Sequence, residues 1–369
     1  MRPVLVVFSF LYSFALDAQT LEIYVSDAGN FDQPPWQIVK WDGDGQNPSV
    51  FIDSELNWPQ DILFMESENE VLISNLGSGC INRHHISSGN FKAPFACGIG
   101  GPTRMKIGPD SLLYVLQWSG NGKVLSYKLD GTFVGEFTKT GVPQSIGLDW
   151  DVAGNLYVSS YNGDYVKQFD QDGNEMGTFI ANNLAGPTNI WFDENGDLLV
   201  SDYDGTAVKR FNSEGEYQGD FLTGLSKSEG VDYLPNGNIL MGNGASSSVK
   251  MFDPNGNYIK DLISPGSAGL KTPNAVRVRE LPVASIGDGP TVHPQFVIPH
   301  FEAGFRFHQH SVGLIQSFTL HGLSGKKVAS VTRVQPNMVF GANLPVGVFL
   351  VALQLKNGQL KVERIVVEK

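Results

Sequence analysis

Between about residues 20 and 280 the chain alternates short apolar runs with glycine-bearing turns, and no stretch shows the 3.6-residue rhythm of a helix. The pattern repeats. A unit opens on a polar dipeptide after Pro, runs through a short apolar strand to a D-x-x-G turn, and enters a second strand of the Leu/Ile-Tyr/Leu-Val type. A "V-K-x-F-D" strand, an Asx-Gly turn and a last strand follow. Pro187-Thr-Asn-Ile-Trp-Phe-Asp193, Leu198-Leu-Val-Ser-Asp202, Val208-Lys-Arg-Phe-Asn212 and Tyr217–Leu222 show the unit in full. Its starts fall at Pro59, Pro102, Pro143, Pro187, Ser228 and Pro273, at spacings of 43, 41, 44, 41 and 45 residues. Four short strands per ~43 residues is the pattern of a β-propeller blade.

Counting the units predicts how the ring closes. Five are complete between Trp58 and Lys271, but after Pro273 only one strand, Asn274–Glu280, remains. The segments Leu21–Ser26, Gln37–Asp42 and Ser49–Asp53 match the second, third and fourth strands of a blade. The expectation is therefore an all-β chain: a six-bladed propeller over residues 19–280, its last blade completed by the N-terminal strands, so that no sheet edge is left open between blades. The unit resembles NHL repeats, whose blades read "P-x-G-[IV]-x-[VF]-D-x-x-G-N-[IL]-Y-V-[SA]-D … V-x-x-F-D-x-x-G"; Pro143–Asp170 and Pro187–Asn212 match best. The resemblance implies the fold more strongly than any activity, since the family holds binding scaffolds as well as enzymes.

Composition narrows the function classes. A formal charge of −12 without a basic cluster argues against phosphate-backbone binding. Residues 1–18 (MRPVLVVFSFLYSFALDA) carry Arg2, an apolar stretch Val4–Leu16 and a small residue, Ala18, before Gln19, the layout of a cleaved signal peptide. No later apolar run is long enough to span a membrane. The two cysteines, Cys80 and Cys97, flank a hairpin loop at Ile86-Ser-Ser-Gly-Asn-Phe91. If Ile86 pairs with Phe91, counting back along both strands sets Cys80 opposite Cys97, where Cβ atoms sit ~4.5–5.5 Å apart. A disulfide is expected in an oxidising compartment, with two buried free thiols as the other reading.

Residues 281–292 (LPVASIGDGPTV) read as a linker, and from His293 to Lys369 the blade pattern stops. Alternation at Phe305–His308, Ile315–Leu320, Val328–Val331, Val348–Leu355 and Leu360–Val367 predicts a small antiparallel β-sandwich. Lys356-Asn-Gly-Gln359 is a two-residue hairpin turn. Phe318-Thr-Leu-His-Gly-Leu-Ser-Gly325-Lys326-Lys-Val328, Leu344-Pro-Val-Gly347-Val-Phe349-Leu-Val351 and Lys361–Lys369 resemble the C-terminal sorting domain of type IX secretion substrates. An Asn-Pro pair usual at that domain's start is replaced by His293-Pro294 and Ile298-Pro299. The resemblance implies passage to the periplasm and then the outer cell surface or medium, with the secretion machinery as partner. An accessory sandwich that binds carbohydrate or protein is the alternative.

Candidate chemistry lies where the inner strands begin. The six starts align as Gln60-Asp61, Thr103-Arg104, Gln144-Ser145, Thr188-Asn189, Glu229-Gly230 and Asn274-Ala275, with Ile62, Met105, Ile146, Ile190, Val231 and Val276 next. Period-2 alternation sends the first and third positions to one side of each strand. A polar ring at the channel mouth and an apolar ring of blade packing follow.

Three readings of the ring stand. It satisfies strand ends; or Gln60, Asp61, Arg104, Gln144, Asn189, Glu229 and Asn274 bind a small polar molecule, glycan or peptide; or Glu229, Asn189, Asn274 and Asp61 hold Ca²⁺ through oxygen ligands. The last reading resembles gluconolactonase/regucalcin-like hydrolases, whose "D-G-[ILMV]-x-x-D" is similar to Glu229-Gly-Val-Asp232; their "P-N-G" Asn falls on Thr188, one residue before Asn189. His84 and His85 sit in a third strand away from the channel, while His308 and His310 read as a surface pair. The D-x-x-G and D-x-D-G segments (Asp170–Gly173, Asp193–Gly196, Asp202–Gly205) read as turns rather than calcium loops. No G-x-S-x-G elbow, CxxC pair or Walker loop occurs. The expectation is an exported binding propeller needing no cofactor, with a metal-dependent lactonase-like hydrolase as the alternative.

Overall fold

A computed structural model describes residues 20–281 and, beyond them, 297–300, 304–307, 315–322, 327–331, 339–340, 347–356 and 360–367. The signal-peptide segment, most of the linker, and His308 and His310 lie outside the described residues. The chain divides into two compact units, Met1–Ala284 and Ser285–Lys369. Among the described residues no helix is long and apolar enough to cross a membrane.

Three N-terminal strands come first: β1 (Thr20–Asp27), β2 (Gln37–Asp42) and β3 (Ser49–Ile52). Blade one holds β4 (Pro59–Met65), β5 (Glu70–Asn75), β6 (Cys80–His85) and β7 (Phe91–Cys97). Blade two holds β8 (Pro102–Ile107), β9 (Leu113–Gln117), β10 (Leu125–Tyr127) and β11 (Phe133–Glu136). Blade three holds β12 (Ser145–Trp150), β13 (Leu156–Ser160), β14 (Tyr165–Phe169) and β15 (Glu175–Ile180). Blade four holds β16 (Pro187–Phe192), β17 (Leu198–Asp202), β18 (Ala207–Phe211) and β19 (Tyr217–Thr223). Blade five holds β20 (Ser228–Tyr233), β21 (Ile239–Asn243), β22 (Ser248–Phe252) and β23 (Tyr258–Ile263), and β24 (Pro273–Leu281) ends the unit.

The six inner strands contact one another in a closed circle, β4–β8–β12–β16–β20–β24 and back to β4. The sixth sheet has the order β24-β1-β2-β3, so the N-terminal strands complete the last blade. Apolar faces pack between neighbouring sheets. Tyr24, Ile38 and Phe51 of the closing blade are buried with Ile62, Val71 and Ile73 of blade one. Ile23, Val25, Val39 and Trp41 are buried with Leu240, Val249 and Leu262 of blade five.

Serines near the end of the second strand bind across to the next blade. Ser26 Oγ donates to Pro59 O (3.2 Å), Ser74 to Thr103 O (2.6 Å), Ser159 to Thr188 O (2.7 Å) and Ser201 to Ser228 O (3.0 Å). Blade five has Gly242 there, and a Cβ on it would stand 2.1 Å from Pro273 O. The Asx-Gly turns form as expected. In one of them Asp170 Oδ1 accepts the N–H groups of Asp172 (2.9 Å) and Asn174 (2.8 Å). The Asn174 amide bond, then these backbone bonds, hold its carboxyl below the usual carboxylate range.

Blade three begins two residues later than the proline spacing suggests. Ser145 pairs with Ser160 as Pro102 pairs with Gln117 and Pro187 with Asp202. In blades one, two, four and five the polar residue ending the second strand accepts an N–H two residues before the inner strand: Asn75 from Asn57, Gln117 from Gly100, Asp202 from Ala185 and Asn243 from Ser226. Pro143 occupies that place in blade three and has no N–H to give. There the bond reverses, and Ser160 Oγ donates to Pro143 O at 2.7 Å. Leu148 thus holds the packing position assigned to Ile146, and Ile146 holds the ring position assigned to Gln144.

Cys80 and Cys97 are cross-strand partners and form a disulfide. The register that brings them together differs from the one expected. Phe91 pairs with His84, not Ile86, and two bulges between there and the bridge restore the Cys80–Cys97 pair. Substituting both cysteines by serine is expected to cost about 2–4 kcal/mol, the loop-closure value for a short loop. The bridge closes a separation of 17 residues. Denaturant titration with and without reductant checks this; equal midpoints would mean the bridge does not stabilise the fold.

The second unit is a small antiparallel β-sandwich of two sheets. One joins Val297–His300, Gly304–Phe307 and Val339–Phe340; the other runs Lys327–Val331, Ile315–Gly322, Gly347–Leu355, Leu360–Val367. Phe318, Leu320, Val351 and Leu353 are buried, as period 2 requires.

Candidate functional site

At one end of the channel each inner strand is entered through a residue whose carbonyl accepts the N–H of the residue just past the second strand. Leu76 N–H donates to Trp58 O, Trp118 to Gly101 O, Tyr161 to Gln144 O, Tyr203 to Gly186 O, Gly244 to Lys227 O and Ala28 to Thr272 O, at 2.8–3.1 Å. In five blades the accepting residue is left-handed: Trp58, Gly101, Gln144, Gly186 and Lys227 have φ between 51° and 67°. This six-fold brace fixes where the side chains of Leu76, Trp118, Tyr161 and Tyr203 stand. Trp118 lies 5.7 Å from Tyr161, and Tyr161 5.8 Å from Tyr203, centroid to centroid. Phe31 and Trp58 form another pair at 5.7 Å. These side chains surround a cavity of about 520 Å³, with Gln60, Ile146, Thr188, Glu229 and Asn274 of the inner strands also in its lining.

Arg104 closes the floor. Its side chain is buried and reaches across the axis to four other blades. Nε donates to Asn189 Oδ1 (2.9 Å), Nη1 to Gln60 O, and Nη2 to Glu229 Oε1 (2.7 Å) and Asn274 O. Asn189 Nδ2 donates in turn to Glu229 O. Burial pushes the Glu229 carboxyl up to about 6, with Arg104 pulling the other way. Gln60 is 4% exposed and its amide meets no protein partner among the described residues, while Asn274 Oδ1 is buried without one.

The sequence-predicted residues therefore separate. Gln60, Glu229 and Asn274 line the cavity, Arg104 and Asn189 lie beneath it, and Thr188 joins the lining. Asp61 does not belong to the cavity. It is buried and pairs with Arg277 Nη2 (2.6 Å), and its other oxygen takes the Met105 N–H (2.9 Å). Gln144 stands in the loop before β12, outside the lining, because blade three is phased by Ser145. Thr103 is buried and bonds Ser145 O at 2.7 Å. His84 is buried in blade one, its Nδ1 2.8 Å from Gly89 O, and burial lowers its proton affinity. The aromatic rim was not anticipated. Its signal was present, since Leu76, Trp118, Tyr161 and Tyr203 recur at the blade spacing one residue past the second strand.

The donor set does not fit a divalent cation. Glu229, Asn189 and the Asn274 carbonyl all face the guanidinium of Arg104, a fixed positive charge at the place the ion would take. Asp61, the fourth proposed ligand, is held by Arg277. Among the described residues no group of three or more His, Cys, Asp or Glu side chains is arranged to hold a metal.

No protein-family model matches the sequence, and no curated protein does. Solved structures do match in fold. A chain of a nidogen/laminin complex superposes at TM-score 0.56 and 16% identity, over 70% of this chain and 98% of that one. A protein from Bacteroides caccae superposes at TM-score 0.55 and 15% identity, with the same coverage of both chains. At these identities the likeness is one of architecture, and the protein is a β-propeller followed by a small β-sandwich.

Proposed function

We propose that the protein is an exported binding module of the NHL-like type whose ligand sits in the channel-mouth cavity. One observation carries this reading: an aromatic wall stands over a floor of buried polar groups, two of them without protein partners. Ligand sites are mostly apolar concavities with a few fixed polar groups, and the volume lies in their range of about 300–1,000 Å³. Binding is favoured over metal-dependent hydrolysis because the Glu229 carboxylate and the Asn189 amide oxygen that hydrolysis needs are engaged by Arg104, and Asp61 by Arg277. Export is supported by the layout of residues 1–18 and by the disulfide, which suits an oxidising compartment. The motifs of the C-terminal unit support sorting by the type IX machinery to the cell surface or medium.

Trp118→Ala tests the cavity. It removes a half-buried rim side chain and is expected to weaken binding by about tenfold or more, as loss of an aromatic anchor does, with the melting temperature nearly unchanged. The check is a thermal-shift screen of mixed glycans, peptides and metabolites against the full chain, repeated on the variant. Binding that survives both Trp118→Ala and Tyr161→Ala would place the ligand elsewhere. Fusing 304–369 to a neutral reporter tests the sorting role; retention in the periplasm of a host with the machinery would count against it.

A further inference from the structure

We infer that the ligand of the channel-mouth cavity is the end of an uncharged saccharide chain, an inference that rests on the cavity being the binding site. The first argument is charge. Glu229 is matched by Arg104 at 2.7 Å, and Lys227 on the rim is matched by Asp204 at 2.5 Å. Asp32 adds one more carboxylate to the lining, but it is exposed on its loop. An anion entering the floor meets the Glu229 carboxylate, and the nearby Arg104 and Lys227 already have carboxylate partners. A cation fares no better: it approaches the Arg104 guanidinium, and the Tyr203 ring is already covered by Lys227 Nζ at 4.8 Å. Either ion loses its hydration without gaining an uncommitted counter-charge, which costs more than any cavity contact returns. A neutral ligand has no such penalty.

The second argument is the pairing of surfaces. A sugar ring presents an apolar patch of C–H groups on its face and hydroxyls around its rim, and each hydroxyl both donates and accepts. The cavity offers the complement. Its walls are the rings of Trp58, Trp118, Tyr161 and Tyr203. Its floor offers the Gln60 amide, a donor and an acceptor without protein partners, and the Glu229 carboxylate oxygen that Arg104 does not take. Buried polar groups without partners strongly favour a ligand that supplies them over one that does not. A purely apolar guest would leave Gln60 and Glu229 dry, and a purely hydrophilic one would waste the aromatic wall.

The test uses the full chain and saturation-transfer NMR with tryptophan-fluorescence titration. The probes are neutral gluco-, galacto- and manno-trisaccharides, with a galacturonan trimer, a chitosan trimer and a mixed tripeptide pool as charged or non-sugar competitors. Each is supplied at about 10 mM, tenfold above a millimolar Kd. The expected result is saturation transfer to the ring C–H protons of at least one neutral trisaccharide and a fluorescence change. Affinity should be insensitive to salt, as an uncharged ligand requires, and should fall about tenfold in Trp118→Ala and in Gln60→Ala. Failure of every neutral trisaccharide to bind overturns the inference. So does tighter, salt-dependent binding of a charged trimer or peptide; if that binding is also lost in Trp118→Ala, the cavity stands as the site and only its ligand class is wrong. Sugar binding untouched by Trp118→Ala and Tyr161→Ala overturns the cavity as well.

Discussion

A chain that starts at Glu55, and so lacks β1, β2 and β3, is expected to aggregate, whereas moving those strands behind β24 is expected to restore the fold. The truncation strips β24 of its partner along the register from Leu21–Glu280 to Val25–Val276. It also opens two cores. Ile62, Val71 and Ile73 lose Tyr24, Ile38 and Phe51, and Leu240, Val249 and Leu262 lose Ile23, Val25, Val39 and Trp41. Burying a large apolar side chain stabilises by about 1.5–3 kcal/mol. Seven such losses come to about 10–21 kcal/mol, enough to cancel the roughly 5–15 kcal/mol that holds a whole domain together, and the exposed strand edge then invites association. The rearranged chain removes the fault without changing a contact. Thr20 stands opposite Leu281 in the β1–β24 ladder, so an Asn-Gly turn can join Leu281 to Thr20 as a two-residue hairpin. Its new ends fall in the exposed stretch Asp53–Glu55. Size-exclusion chromatography and thermal unfolding of both variants, each lacking the residues after Leu281, decide the matter. A truncated chain that is monomeric and melts cooperatively near the parent temperature would show that the N-terminal strands do not close the ring.

The ring could be read from the sequence because closure is a counting problem. One orphan inner strand at Pro273 and three orphan strands at the N-terminus add up to one blade, and the β24-β1-β2-β3 sheet is the result. Phase within a blade was harder. Proline opens four inner strands, so Pro143 drew the alignment two residues early, whereas the feature that sets phase is the side-chain clamp from the end of the second strand. A clamp formed through space leaves no periodic trace. The disulfide shows the opposite case, in which the right pair came from a wrong turn register because two bulges each added a residue.

The site was half legible for a related reason. Period 2 finds side chains that point from a strand, and it located Gln60, Glu229 and Asn274. It cannot say how far a long side chain travels. Arg104 is the second of the aligned pair Thr103-Arg104, yet it ends against Gln60, Asn189, Glu229 and Asn274. The aromatic rim sits on turn residues, outside the strand alternation altogether.

Arg104→Met is expected to destabilise the propeller by about 3–5 kcal/mol near neutral pH, the cost of leaving one half of a buried ion pair behind. Methionine fills much of the volume, so the effect isolates the charge and the hydrogen bonds. Glu229 Oε1, Asn189 Oδ1 and the carbonyls of Gln60 and Asn274 would all lose their donor together. The pH dependence separates the charge from the rest. With Arg104 in place the folded Glu229 carboxyl is already pushed from its ordinary 4.5 up to about 6 by burial, and without the guanidinium it rises further. Between the unfolded and the folded value the native state binds more protons than the unfolded one, so stability falls as pH rises through that window. The charge-dependent part of the variant's deficit is therefore expected to be small near pH 5 and to grow as pH rises above about 6, while the part due to the lost hydrogen bonds stays constant. Adding Glu229→Gln should abolish that slope and recover the part of the loss due to charge, but not the part due to the unpaired Asn189 Oδ1 and the carbonyls of Gln60 and Asn274. Denaturant titrations of the parent, the single variant and the double variant at both ends of the window measure each contribution. A single variant as stable as the parent near pH 8 would mean that the cation at the centre of the channel does not hold the inner strands together.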